Sequence, residues 1–330
     1  MKKIPLEATL AGAYRFLFTR IISIIGTIWL PFVAMSALVA GILYLVVPHA
    51  WWSGNFPNPD GPRAVFAVLQ PVLVAYPLIF LIGLIGVSMM LAGLMRHALG
   101  RKTTTTFVYF SFGAPVWRML AALVIADILL ILLAIALAMA FHTAFLFVTS
   151  AIPHLRGPSN PILWPMYPLQ MYIACGVAGH CPYGPGLVGL MVLGVLEFCV
   201  FFYAAVRLTF FLPAVVVAED RIGLGRSWSL GGGNFWRIFL VALLTAIPVA
   251  IVVGIASHIL VSPTIVAAMT NLPHHHAFFE GMIATFRAEL TVLPIVLALS
   301  LVQRVAFLGL ISGAIGTAYN AVTSVGAPEE

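Results

Sequence analysis

The sequence predicts an all-α integral membrane protein: six transmembrane helices arranged as three hairpins, with short amphipathic helices at the interface. Three observations predict it. Of 330 residues, 62% are apolar and only 8% are charged, whereas a soluble domain carries roughly 25% charge. The mean hydropathy is +1.10. Finally, the apolar runs, such as IADILLILLAIALAMAF from Ile125 to Phe141, approach the roughly 20 residues that cross a bilayer core of about 30 Å. These runs do not alternate apolar with polar residues, which excludes a β-barrel.

In chain order, residues 1–20 (MKKIPLEATLAGAYRFLFTR) read as an interfacial amphipathic helix. Leu6, Leu10, Ala13, Tyr14, Leu17 and Phe18 share its apolar face. Glu7, Arg15 and Arg20 interrupt the apolar run that a cleavable signal would need. The spans are expected at Ile21–Val47, Val65–Met95, Met119–Phe141, Leu187–Val206, Ile238–Ile259 and Val305–Val322. The first connection, PHAWWSGNFPNPDGPR, is dense in Pro, Gly and Asn, which is loop chemistry. The last connection leaves two readings. In the favoured one LTVLPIVLALSLVQ is an outer interfacial or re-entrant helix and Arg304 sits at the outer interface. In the other the last span begins at Leu290, and a buried Arg304 needs a partner. Residues 1–330 form one polytopic domain, because no connection is long enough for a soluble domain of ordinary size.

Orientation follows from Lys and Arg placement. Lys2, Lys3, Arg15, Arg20, Arg96, Arg101, Lys102, Arg118, Arg207, Arg221, Arg226 and Arg237 fall on one side. Only Arg63, Arg156, Arg287 and Arg304 fall on the other. Both termini are therefore expected in the cytoplasm, with the chain in a bacterial inner membrane. The net charge of +6 reflects this bias. It is no nucleic-acid signature, since the basic residues flank spans rather than share one face. Cys175 and Cys181 fall in the third connection, on the outer side. They form a candidate disulfide in an oxidising compartment, with free thiols or a metal site with His180 as the alternatives. Cys199 stands alone in a span and is expected to pack there.

A repeat runs through the spans. Phe18-Thr19-Arg20, Val116-Trp117-Arg118 and Phe235-Trp236-Arg237 each precede an odd-numbered span, and Arg96 and Arg207 each close an even-numbered one. Pro31 and Pro248 follow their arginines at the same distance. Three related hairpins fit this pattern, and so does an ordinary aromatic-basic belt.

The segment RSWSLGGGNFWRIF (Arg226–Phe239) contains three consecutive glycines. A P-loop needs lysine and Ser or Thr after its last glycine and a strand before it, and Gly233 is followed instead by Asn234, Phe235 and Trp236. The expected reading is an interfacial doorway. Two short helices break near Glu219 and Asp220, Leu224, Trp228 and Leu230 face lipid, and Arg221 and Arg226 face head groups. The glycines turn the chain, and Trp236 and Arg237 anchor the fifth span. Arg226, Trp228, Asn234, Trp236 and Arg237 are the candidate lipid and interface motif.

The pattern Arg207-Leu208, Leu212-Pro213-Ala214, Glu219, Arg226-Ser227-Trp228, Leu230 and Gly233-Asn234-Phe235-Trp236-Arg237 resembles a known membrane-domain family. That family occupies the amino-terminal part of membrane-anchored glycerophosphodiester phosphodiesterases and includes YciC-type bacterial inner-membrane proteins. ISGAIGTAYNAV (Ile311–Val322) is similar to its last span. The resemblance implies topology. Catalysis in the phosphodiesterases belongs to a separate soluble barrel for which this sequence has no room, so that activity does not transfer.

Ionisable residues inside spans are costly and often functional. By helical rise, Asp127 lies about 13 Å beyond Arg118, Glu197 about 15 Å from Arg207, and Ser88 and Thr245 about 12 Å deep. The four define a candidate polar layer, either a site for a proton, cation or polar head group or a set of interhelical hydrogen bonds. His49, His154, His180 and His274–His276 fall on the outer side, with His142 and His258 at span ends. Imidazoles bind metals, but their spacing here carries no ligand geometry. No GxSxG, HExxH, CxxC or GxGxxG occurs in a suitable setting. No catalytic residue, cofactor or metal is therefore assigned. The expected function is a non-enzymatic scaffold or accessory subunit. Its expected partners are membrane lipids, anionic head groups and a membrane protein complex, with no nucleic acid. The alternative is a permease-like protein for a lipid or small solute, working through the Asp127–Glu197 layer.

Overall fold

The computed structural model describes residues 3–46, 62–101, 107–151, 185–270, 285, 288 and 290–323. Among them the chain is helical. Its helices are α1 (Leu6–Thr19), α2 (Ile21–Val46), α3 (Pro62–Ala98), α4 (Ala114–Ala151) and α5 (Pro185–Thr209). They continue as α6 (Leu212–Glu219), α7 (Leu224–Leu230), α8 (Phe235–Leu260), α9 (Ser262–Thr270) and α10 (Leu293–Thr323). Among the described residues six helical segments are long and apolar enough to cross a membrane. The chain is a multi-pass helical membrane protein. Helix is the expected answer, because each backbone N–H and C=O in hydrocarbon needs a partner within its own segment. Pro31, Pro71, Pro77 and Pro248 lie inside these helices, as membrane helices tolerate.

The expected spans match α2, α3, α4, α5 and α8, but the helices extend beyond several of the expected ends. The last span differs in kind. α10 runs unbroken from Leu293 through Thr323, so the stretch before Val305 is no separate helix. Pro294 falls in the first turn of α10, where its missing N–H has no intrahelical role. Arg304 is therefore a mid-helix residue, half-buried, with its guanidinium 5.4 Å from the centre of the Phe32 ring. Its partner is an aromatic face rather than a carboxylate.

The chain divides into two compact units, residues 1–125 with 206–330, and residues 126–205. The first is organised around α10, which packs on α1, α2, α3, α6 and α8. The sequence LGLISGAIGTAY allows this crowding. From Gly309 to Tyr319 almost every residue of α10 is buried, because small side chains let neighbouring helices approach closely. A Cβ at Gly313 would sit 2.8 Å from Phe16 Cβ and 3.1 Å from Ala13 Cα. On the facing helix, a Cβ at Gly12 would sit 2.5 Å from Thr317 Oγ1.

α1 buries Thr9, Ala13 and Leu17 against its neighbours, two of them from the expected apolar face, while Phe18 of that face is 69% exposed. One expectation changes here. α6 was expected to lie at the interface, yet Leu212 through Val217 are all buried. Its run of apolar residues has no polar face to present to water.

The tight core of this first unit gathers at the basic ends of the helices. Ile24, Ile28, Met90, Leu94, Met119, Phe211, Ile238 and Leu310 are nearly inaccessible there. Leu38, Leu45, Leu73, Ile251, Val252 and Ile259, toward the opposite ends, are exposed, as lipid-facing residues are. The second unit holds the later part of α4 and most of α5. A Cβ at Gly194 would lie 3.7 Å from the Phe141 ring, and Phe198 stacks on Phe202 at 5.9 Å. Cys199 is exposed rather than packed. Its neighbours Phe198 and Val200 are exposed as well.

Candidate functional site

The Arg226–Arg237 segment is a corner that joins three parts of the first unit. Ser227 Oγ donates to Leu208 O at 2.8 Å. Arg207 donates to Trp228 O at 2.9 Å, and its guanidinium lies 4.2 Å from the centre of the Trp228 ring. This is a cation–π contact of the kind arginine makes best with tryptophan. Gly231 passes Arg207 so closely that a Cβ would meet its Cα and O at 3.4 Å. Gly233 has φ +71°, a left-handed conformation that glycine adopts without strain. The glycines are thus needed for approach and for turning.

The corner also grips the amino-terminal segment. Asn234, 2% exposed, accepts a hydrogen bond from Ile4 N–H at 3.0 Å. Arg237 donates to Ile4 O at 2.6 Å. Ile4 is itself fully buried. Both backbone groups of one residue are satisfied by side chains more than two hundred positions away, which closes the bundle.

Of the candidate motif, Arg226 contacts the Glu219 carboxylate at 3.2 Å, and Arg237 is engaged with Ile4. Trp236 is 70% exposed and Trp228 39%, so the tryptophans remain presented outward. The structure thus brings together a motif whose arginines have partners within the chain.

A second feature lies at the same end, around Glu219 and Asp220. Asp220 caps α6 with φ 52°, a left-handed position that Asp tolerates better than most residues. Glu219 accepts from Arg221 at 2.5 Å, Arg226 at 3.2 Å and Tyr319 Oη at 3.2 Å. Asp220 pairs with Arg118 at 2.9 Å and lies 3.7 Å from Arg101. Arg101 also donates to Val217 O at 2.6 Å and to Ala218 O. Beside this network is a cleft of about 300 Å³, lined by Arg96, Arg101, Pro115, Val217 and Asp220. Sequence reading placed Arg96 and Arg101 only as flanking charges. Their meeting with Asp220 depends on the fold of α6, and no local motif announces it.

The four residues of the expected polar layer fall in two units. Ser88 donates to Leu84 O at 2.7 Å, and Thr245 donates to Val241 O and Ala242 O at 2.9 Å each. Each hydroxyl is satisfied by the preceding turn of its own helix, a common choice for Ser and Thr in apolar surroundings. Both lie in the first unit. Asp127 and Glu197 lie in the second, and each is partly buried. Glu197 Oε1 is enclosed and has no hydrogen-bond partner among the described residues. Cys175, Cys181, His49, His154, His180 and His274–His276 lie outside the described residues. Among the described residues no group of three His, Cys, Asp or Glu side chains lies close enough to hold a metal. No protein-family model matches the chain, and no match was found among the curated proteins or the solved structures.

Proposed function

We propose that this protein is a non-enzymatic, membrane-embedded scaffold or accessory subunit that organises anionic lipids, or a membrane partner, at its basic face. The carrying observation is the lopsided first unit. Its tight core, its arginines and its outward tryptophans Trp228 and Trp236 share one end, while its other end exposes plain apolar surface. Such an end is suited to a head-group layer, where aromatic rings and arginines both prefer to sit. We place the chain in a bacterial inner membrane with both termini cytoplasmic, because the basic residues favour that side. Kinship with the phosphodiesterase membrane-domain and YciC-type family belongs to the same proposal. The Arg207–Trp228 stack and the Asn234–Ile4–Arg237 clasp supply a physical reason for those residue types.

The test is gentle extraction from native membrane, followed by mass spectrometry of what co-purifies. We expect a retained anionic phospholipid, a stoichiometric protein partner, or both. A chain that emerges with neither contradicts the proposal. A second reading is favoured by Glu197, whose enclosed Oε1 has no partner among the described residues and which shares its unit with Asp127. In that reading the two carboxyls serve solute movement, and Asp127→Asn or Glu197→Gln abolishes transport in proteoliposomes while the protein still folds.

A further inference from the structure

We propose that the cleft lined by Arg96, Arg101, Pro115, Val217 and Asp220 binds one phosphate-bearing anion, supplied by an anionic phospholipid head group. This rests on the lipid-organising reading above and names its site. A space of about 300 Å³ falls at the lower end of ligand-pocket volumes and suits one head group rather than a whole lipid.

The charges around it do not balance. Among the described residues of the lining Asp220 is the only carboxylate, and it already contacts both Arg118 and Arg101. Three guanidiniums thus stand around one carboxylate. Arg101 is a fixed post, its Nη1 and Nη2 donating to the Val217 and Ala218 carbonyls. Arg96 differs. It is half-buried on the last turn of α3, lines the cleft, and makes no hydrogen bond or ion pair among the described residues. A half-buried guanidinium with unused donors is poorly solvated and gains from an oxyanion in its fork.

The depth of the site points to a lipid rather than a free anion. Pro115 belongs to the start of α4, and the chain leading into it exposes an aromatic cluster. Phe110, Phe112 and Trp117 are each about half exposed, with Phe110 edge-on to Phe112 at 5.1 Å and Phe112 at 6.4 Å from Trp117. This segment is held in place, since Tyr109 N–H donates to Gly26 O at 3.2 Å and Trp29 Nε1 donates to Phe107 O at 2.9 Å. Exposed aromatic rings at a span end mark the head-group level. Pro115, which lines the cleft, lies between Phe112 and Trp117 in the chain, so the cleft belongs to this same span end.

The experiment is native mass spectrometry of the purified full chain titrated with short-chain phosphatidylglycerol or phosphatidylcholine, with and without inorganic phosphate. We expect phosphatidylglycerol to bind the more tightly. Arg96→Gln should lower its affinity about tenfold, the usual effect of losing one charge-assisted contact. Arg15→Gln, an exposed charge on α1, should change nothing. Asp220→Asn should raise the affinity about threefold by removing the competing carboxylate, a modest Coulomb effect near a surface. That gain cannot arise from misfolding. Equal affinity of wild type and Arg96→Gln, with phosphatidylglycerol still preferred, overturns the cleft and leaves the lipid reading standing. No preference in the wild type overturns both. Displacement of the lipid by inorganic phosphate at matching concentration overturns the lipid source and retains the anion site.

Discussion

Replacing Gly316 by valine is expected to destabilise the protein by about 3 kcal/mol or more, at the upper end of overpacking effects. A Cβ at Gly316 would lie 2.9 Å from both Cβ and O of Ala98, and 3.1 Å from Ala98 C. Two of these atoms are backbone at the end of α3, so they cannot swing aside as a long side chain could. Valine adds two methyl groups beyond that clash. α3 and α10 must then move apart, and α10 is the helix on which α1, α2, α6 and α8 also pack. Gly41 is the control. A Cβ there meets nothing within 4 Å, so Gly41→Val should leave stability almost unchanged. Thermal melting in detergent checks both. Equal losses at the two positions would show that helix propensity, not packing, governs the effect.

The second large effect is expected at Glu219. Its carboxylate is shared by Arg221, Arg226 and Tyr319, and its side chain is only 19% exposed. Glu219→Ala removes all three contacts and leaves the Tyr319 hydroxyl, on a mostly buried ring, without this acceptor. Hydrogen bonds to charged groups contribute about 1.5–3 kcal/mol each. Arg221 and Arg226 are exposed enough that solvent screens much of their share, so we expect a total loss of about 2–3 kcal/mol. Glu219→Gln keeps an acceptor for Tyr319 and should lose roughly half as much. The gap between wild type and Glu219→Gln should narrow as salt is raised, because the remaining difference is ionic. A loss in Glu219→Gln that does not change with salt would contradict the ionic part of this explanation.

Most of the fold was legible because the bilayer imposes a simple code. Long apolar runs give helices, and flanking arginines give their ends. The doorway break was readable too, since Glu219 and Asp220 interrupt an apolar run and α6 and α7 meet around them. What the sequence obscured were the long-range relations. Periodicity gave α1 an apolar face that includes Ala13, Leu17 and Phe18, but it did not show that Gly309 and Gly313 of α10 would pack against Leu17 and Ala13. The stretch before Val305 looked like a separate helix because Arg304 interrupts it, whereas the Phe32 ring provides that guanidinium with an internal partner. The glycines and asparagine of the motif were recognisable as special, yet their partners, Arg207 and Ile4, are distant in sequence. The arginine cleft was hidden for the same reason. Arg96 and Arg101 read as belt residues until α6 delivers Asp220 beside them.

The Arg226–Arg237 corner closes the bundle on the chain's own amino-terminal segment through Ile4. This contact is accessible to hydrogen–deuterium exchange of the purified full chain, read at Ile4 by residue-resolved fragmentation. Amides that precede or begin a helix have no intrahelical acceptor, so protection at Ile4 reports the Asn234 carbonyl that accepts its N–H. We expect slow exchange at Ile4 in the wild type and rapid exchange in Asn234→Ala, with α10 amides still protected in both. Fast exchange at Ile4 in the wild type, or equal protection in the variant, would show that the corner does not hold the amino-terminal segment and would return the motif to a purely interfacial role.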